Sequence, residues 1–358
     1  MYIFTVITSL KRIFALIAVF SCFYLHSQIG GTKTYRFLDI PATARAAALG
    51  GNNMSVWGDD INLLYSNPSL LNPGMTKQVA FDFSNYVSDI KMYYLGYAHS
   101  LKQYGTAAIS FQTLNYGKFT GYDELGQKTT SFKANDNCIN LTYAKPLADS
   151  MFNVGVSLKT IISQYDAYSS FGNAIDFGIT YHNKKDFTIS LLAKNVGVIW
   201  KTYTNSEEKL PQTVQIGLSK KVAKAPFRLI LVYDQLLKWN LNYVSPIDTA
   251  GKNSSLSLGE TKTDSTGFER FKNRAGKFGD NFMRHIIIGT EIIVTKNFNL
   301  RVAYNYRRQK EMTLPDRRGA NGLSLGFGFR VKRFGLSYSF SKMAFPGNSH
   351  IFGITYGW

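Results

Sequence analysis

From residue 78 onward, apolar residues recur at every second position. Val79, Phe81, Phe83 begin the series, followed by Tyr93, Leu95, Tyr97 and Ala107, Ile109, Phe111. Similar runs follow at 139–143, 152–158, 175–181, 187–191, 214–218, 227–233, 286–294, 298–306, 323–329 and 334–340, and the last is 352–358. Gly, Ser, Thr, Asn, Lys, Arg, Asp and Glu occupy the positions between them. A period of two with one apolar and one polar face predicts half-buried strands, here fourteen of them. No later stretch approaches the ~18 consecutive apolar residues of a membrane-crossing helix.

A soluble β-sandwich would alternate in the same way, so the connections decide. Short links at 102–105, 146–150, 182–186, 295–297 and 332–333, with a medium one at 220–226, alternate with long ones. The long ones cover about 116–137, 163–173, 195–211, 237–284, 308–321 and 342–350. Short turns at one end and long loops at the other, with an even strand number, predict an all-β fold: a transmembrane antiparallel barrel. The link near Ser88–Lys91 is too short for its side and breaks the rule. Closure satisfies the backbone in lipid and turns the polar parity inward. A tight turn centred on Lys296 sets Glu291 opposite Arg301 as an inward ion pair, with Ile292 beside Leu300 and Ile288 beside Tyr304 on the lipid face. Lys159, Asp176, Arg228 and Arg330 also fall on the inward parity and are expected to satisfy one another.

Residues 28–77 do not alternate. "PATARAAALGG" (41–51) has a Pro suited to a first helical turn, an Ala-rich middle and Gly50–Gly51 as a stop. "DDINLLYSNPSLL" (59–71) carries an Asn67–Pro68 turn. A compact, partly helical segment ahead of a barrel is placed to plug its lumen or to cap it. Ahead of it, Lys11 and Arg12 precede an apolar run from Ile13 to Leu25 and the small Ser27. That run fits a signal peptide over residues 1–27, with a lipid anchor on Cys22 as the alternative. Cleavage after Ser27 leaves Cys138 alone and no disulfide framework. The organisation expected is therefore a signal peptide at 1–27, a hatch at 28–77 and a barrel at 78–358, with a long extracellular loop at about 237–284.

Composition refines this picture. The chain has 358 residues, 15% of them aromatic, and a formal charge of +18 although only 18% are charged. The Lys and Arg lie scattered in turns and loops instead of clustering on one element, which argues against nucleic acid and suits an anionic membrane surface. The five His residues (26, 99, 182, 285, 350) lack metal-ligand spacing. Ser206 and Lys209 match Ser-x-x-Lys, but no Lys-Thr-Gly accompanies them. Catalytic, cofactor and metal residues are all expected to be absent. In the 237–284 loop, Arg270, Lys272, Arg274, Lys277 and Arg284 form a basic end suited to anionic lipopolysaccharide or an acidic partner.

The motif "ARAAALGG" followed by an Asn-Pro turn resembles the N-terminal hatch of FadL-like outer-membrane proteins. "YRFLDIPATARAAALGG" (35–51), "KAPFR" (224–228), "YNYRR" (304–308) and "GLSLGFGF" (322–329) resemble more closely the PorQ family of type IX secretion system barrels. Gly353, Tyr356 and Trp358 in "FGITYGW" (352–358) are similar to the terminal signal read by outer-membrane insertion machinery, with Ile351 departing from it. This resemblance implies a non-enzymatic subunit of the cell outer membrane of a Gram-negative bacterium. Its implied partners are the PorU sortase, PorV and PorZ of the attachment complex that links secreted proteins to lipopolysaccharide. The alternative is a FadL-like channel for small hydrophobic molecules, and a third reading is a soluble periplasmic enzyme. A channel should show an apolar pocket beneath its hatch, and an anchor a sealed lumen.

Overall fold

The computed structural model describes residues 33–358 except 148–150, 205–206, 242–266, 313–320 and 343–346. The signal peptide expected at 1–27 and Ser206 lie outside the described residues. Fourteen strands form one antiparallel sheet: β1 (Gln78–Val87), β2 (Ile90–Ser100), β3 (Thr106–Tyr122), β4 (Lys128–Pro146), β5 (Phe152–Tyr165), β6 (Tyr168–His182) and β7 (Phe187–Lys201). The second half is β8 (Thr213–Lys221), β9 (Phe227–Tyr233), β10 (Ile286–Ile293), β11 (Phe298–Asn305), β12 (Leu323–Val331), β13 (Phe334–Ser341) and β14 (Ser349–Gly357). Each strand pairs with the next, and β1 pairs with β14 to close the barrel.

Closure leaves no sheet edge unpaired, which is what a backbone surrounded by hydrocarbon requires. The apolar parity faces outward: Leu141 is 54% exposed, Phe177 50% and Phe352 55%. Polar residues of the opposite parity, such as Thr142, Asp176 and Ser339, are buried inside. The register expected around Lys296 is observed, with Glu291 opposite Arg301, Ile292 opposite Leu300 and Ile288 opposite Tyr304. Among the described residues no helix is long and apolar enough to cross a membrane.

Three expectations about the connections need correction. The stretches 116–137 and 163–173 are not loops. They are the ends of long hairpins, turning at 123–127 and 166–167. Phe119 stacks on Phe132 across the first of these, 5.2 Å between ring centres. Third, the 237–284 segment includes an 18-residue helix, α2 (Gly267–Arg284). The link between β1 and β2, which looked too short for its end, is a real two-residue turn at 88–89. The other α-helices among the described residues are α1 (Ala44–Ala48) ahead of the barrel and α3 (Tyr306–Glu311) after β11.

Candidate functional site

The lumen is occupied by the chain's own N-terminal segment. Thr34 donates its N–H to Lys209 O at 2.8 Å at the long-loop end. At the short-turn end, Lys77 donates to Ala98 O at 2.9 Å and the chain enters β1. Between these points the segment is built of short pieces held by side-chain caps. Thr43 Oγ1 accepts from Ala46 N at α1, Asn67 Oδ1 from Ser69 N and Asn72 Oδ1 from Gly74 N. Each cap satisfies an otherwise orphaned donor. Asp82 Oδ1, from β1 in the wall, accepts from Ala44 N at 2.8 Å, so the wall itself caps α1.

Small residues let plug and wall meet closely. A methyl on Gly326 would come within 2.5 Å of Ala48 Cβ, and one on Gly155 within 2.4 Å of the Pro68 carbonyl. The Ala run in α1 is therefore a packing surface as well as a helix former. Phe37, Leu49, Met54, Ile61, Leu63, Leu70 and Leu71 are fully buried against inward wall residues such as Ile161, Leu192 and Val232. Hydrophobic burial on this scale holds the segment inside instead of leaving it as a loose cap.

The polar lock lies toward the short-turn end. Glu291 of β10, 2% exposed, receives three guanidinium groups: Arg45 Nη2 at 2.7 Å, Arg228 Nη1 at 2.9 Å and Arg301 Nε at 3.1 Å. Arg45 also donates through Nη1 to Asp60 at 2.7 Å. Three cations thus face two carboxylates, one of them from the wall and one from the plug. Burial would raise the Asp60 carboxyl, but the Arg45 and Arg301 guanidiniums outweigh it and hold it below the usual carboxylate range. Such a network binds strongly only when all its members are present.

The expected inward charges divide. Lys159 pairs with Asp176 at 2.6 Å and donates to Asn195 Oδ1 at 2.7 Å. Arg228 joins the Glu291 group, whereas Arg330 makes no ion pair among the described residues. Of the five basic residues proposed at the end of the long segment, the side chains of Arg270, Lys272 and Arg274 lie outside the description. Lys277 is exposed. Arg284 is not free, because Asp280 accepts from it at 2.8 Å. The pattern gave no sign of Arg45, whose role needs the plug's path. It also missed Asp136, buried near the long-loop end and accepting from Tyr116 at 2.6 Å and Tyr165 at 2.9 Å. Tyrosines recurring beyond the apolar alternation, at 116 and 165, were the signal available.

The cavities at the ends are open and lined by charge. One of 230 Å³ lies among Arg45, Asp59, Asp60, Arg228, Arg301 and Arg330. Among the described residues no three His, Cys, Asp or Glu side chains gather as they would around a metal.

No family model matches the chain, and no curated protein matches it. Among solved structures, the toluene transporter TbuX of Ralstonia pickettii superposes with a TM-score of 0.47 at 9% identity, covering 92% of this chain and all (100%) of that one. A mutant of the monoaromatic hydrocarbon channel TodX gives 0.45 at 13% identity, covering 88% of this chain and 97% of that one. A FadL homologue of Pseudomonas aeruginosa gives 0.45 at 9%, covering 88% and 98%. The closed antiparallel barrel, its outward apolar band and its inward polar lining define a β-barrel of the Gram-negative outer membrane.

Proposed function

We propose that this barrel is a non-enzymatic anchoring subunit of the outer membrane, serving the type IX secretion attachment complex that its sequence motifs resemble. The observation that carries the reading is the occupied lumen. The plug runs through the described interior from Thr34 to Lys77, and the buried Arg45–Glu291 pair ties it to β10. No apolar pocket lies beneath it among the cavities described. At the long-loop end, Leu237, Trp239 and Phe278 are 63%, 43% and 60% exposed, an apolar group that a partner would cover. PorU, PorV and PorZ-like proteins, and through them lipopolysaccharide, are the partners this reading names.

A second reading is a channel for small hydrophobic molecules, as the toluene transporter and the hydrocarbon channel above are named. One experiment separates the two. An epitope tag near Asn253–Ser255 is used to recover the chain from outer membrane in mild detergent, and mass spectrometry identifies what accompanies it. Sortase-type and surface proteins in stable ratio support anchoring. Recovery of the barrel alone with a bound apolar small molecule overturns it in favour of the channel.

A further inference from the structure

The tight turns at the two ends of the barrel differ in charge. The three tight turns at the long-loop end (88–89, 123–127 and 166–167) hold Asp89, Asp123, Glu124 and Asp166, and no Lys or Arg. At the opposite end Lys or Arg stands in five of the six turns, and Asp186 is the acid among their described residues.

The backbone sets several of these cations apart. Lys77, Lys102, Lys224 and Lys332 have φ of 55°, 57°, 63° and 51°. All four lie at the short-turn end. The left-handed region crowds any Cβ, and Gly or Asn normally fills it. Four of the ten described non-Gly residues in that region are lysines, and all four stand at this end.

The cations also have a fixed level. Lys145 and Lys220 occupy the lipid-facing parity of β4 and β8, and Lys220 Nζ lies 6.0 Å from the centre of the Phe187 ring. Trp358 stacks on Tyr97 at 6.0 Å and Tyr356 at 5.9 Å, part of the aromatic girdle that marks a bilayer's edge. Beside these rings, at the mouth of the lumen, a cleft of 270 Å³ is framed by the inward-facing Gln78, Arg330 and Thr355 and by Lys332 and Arg333 of the adjoining turn, and no acidic side chain lines it.

We propose that this collar binds the phosphate of anionic phospholipid headgroups in the leaflet at the short-turn end, and that Lys332 and Arg333, in the turn beside Tyr356 and Trp358, are its best-formed site. Arginine forks and a lysine point charge match phosphate oxygens. The girdle places them at headgroup depth, which favours a lipid over an acidic protein docking from below. The inference requires only the membrane setting and holds for an anchor or a channel.

The test uses the full chain purified in zwitterionic detergent, with native mass spectrometry of bound lipid. Phosphatidylglycerol should be retained over phosphatidylcholine, and K332Q/R333Q should lower that retention at least about tenfold. K128Q/K133Q, at the other end, should leave it unchanged. Heat-dependent electrophoretic mobility checks that each barrel is folded, and K332Q alone replaces the double variant if that one fails. Displacement by inorganic phosphate alone, without a lipid preference, would make free phosphate the ligand. Equal retention of both lipids, or of phosphatidylglycerol by wild type and variant, overturns the proposal. So does loss of an acidic periplasmic protein from the variant in place of lipid.

Discussion

Glu291→Gln removes the one wall carboxylate that three arginines share. The side chain keeps its shape and one acceptor oxygen, but Arg45, Arg228 and Arg301 then face one another with Asp60 as their remaining acid. Breaking a buried, hydrogen-bonded charge group costs about 3–5 kcal/mol, because the partners stay desolvated without compensation. The barrel wall has its ladder of backbone bonds and loses little. The cost falls on the plug, whose α1 is tied to the wall through Arg45. If plug opening is a local event, its free energy should drop by that amount. Amide exchange across Ala44–Ala48 should then accelerate by roughly two to three and a half decades, while β10 and β11 away from position 291 keep their protection. Hydrogen exchange with mass spectrometry on detergent-solubilised protein reads both segments at once. Exchange in α1 within a factor of about five of wild type would refute the view that this network holds the plug.

Other perturbations test separate contacts. Gly155→Ala drives a methyl into the Pro68 carbonyl, and overpacking of about 1–3 kcal/mol should show as faster exchange at Ser69–Leu71. Trp358→Ala removes two stacked ring contacts and should cost about 0.5–1.5 kcal/mol per aromatic pair, measured as a lower unfolding temperature in heat-mobility assays. Burial would raise Asp280, but the Tyr306 hydroxyl and Arg284 outweigh it and leave its carboxyl below the ordinary value. A depressed carboxyl contributes stability above its unfolded pKa of ~4 and loses it as pH falls through the folded value. In a variant whose other three tryptophans are replaced by Phe, the emission of Trp239 should therefore change on acidification below about pH 4, and Asp280→Asn should abolish the step. Asp280 is 28% exposed, so solvent limits the effect to less than about 1 kcal/mol.

The wall of this barrel was legible because lipid imposes a strict rule on it. Every residue of one parity must be apolar, and fourteen runs, their order and the Glu291–Arg301 register followed. Where the strands leave the hydrocarbon the rule lapses. In β3 and β4, residues 116–134 carry Lys118, Thr120, Lys128 and Lys133 on a hairpin exposed to water on both faces, so the pattern read as loop. The plug's helical start was visible in its Pro, Ala run and paired Gly. Its path was not, because Arg45 finds Glu291 across 246 residues of sequence and no local signal encodes that partner. The cations at the short-turn end were visible as scattered lysines. Their asymmetry became apparent only once the turns were assigned to an end.

The central claim is that the plug seals the lumen as a fixed part of the wall. Planar-bilayer recording tests it most directly. The full chain should give no stepwise conductance, whereas a chain lacking residues 33–77 should open steps of a wide, water-filled barrel. Steady conductance steps from the intact chain would contradict the account.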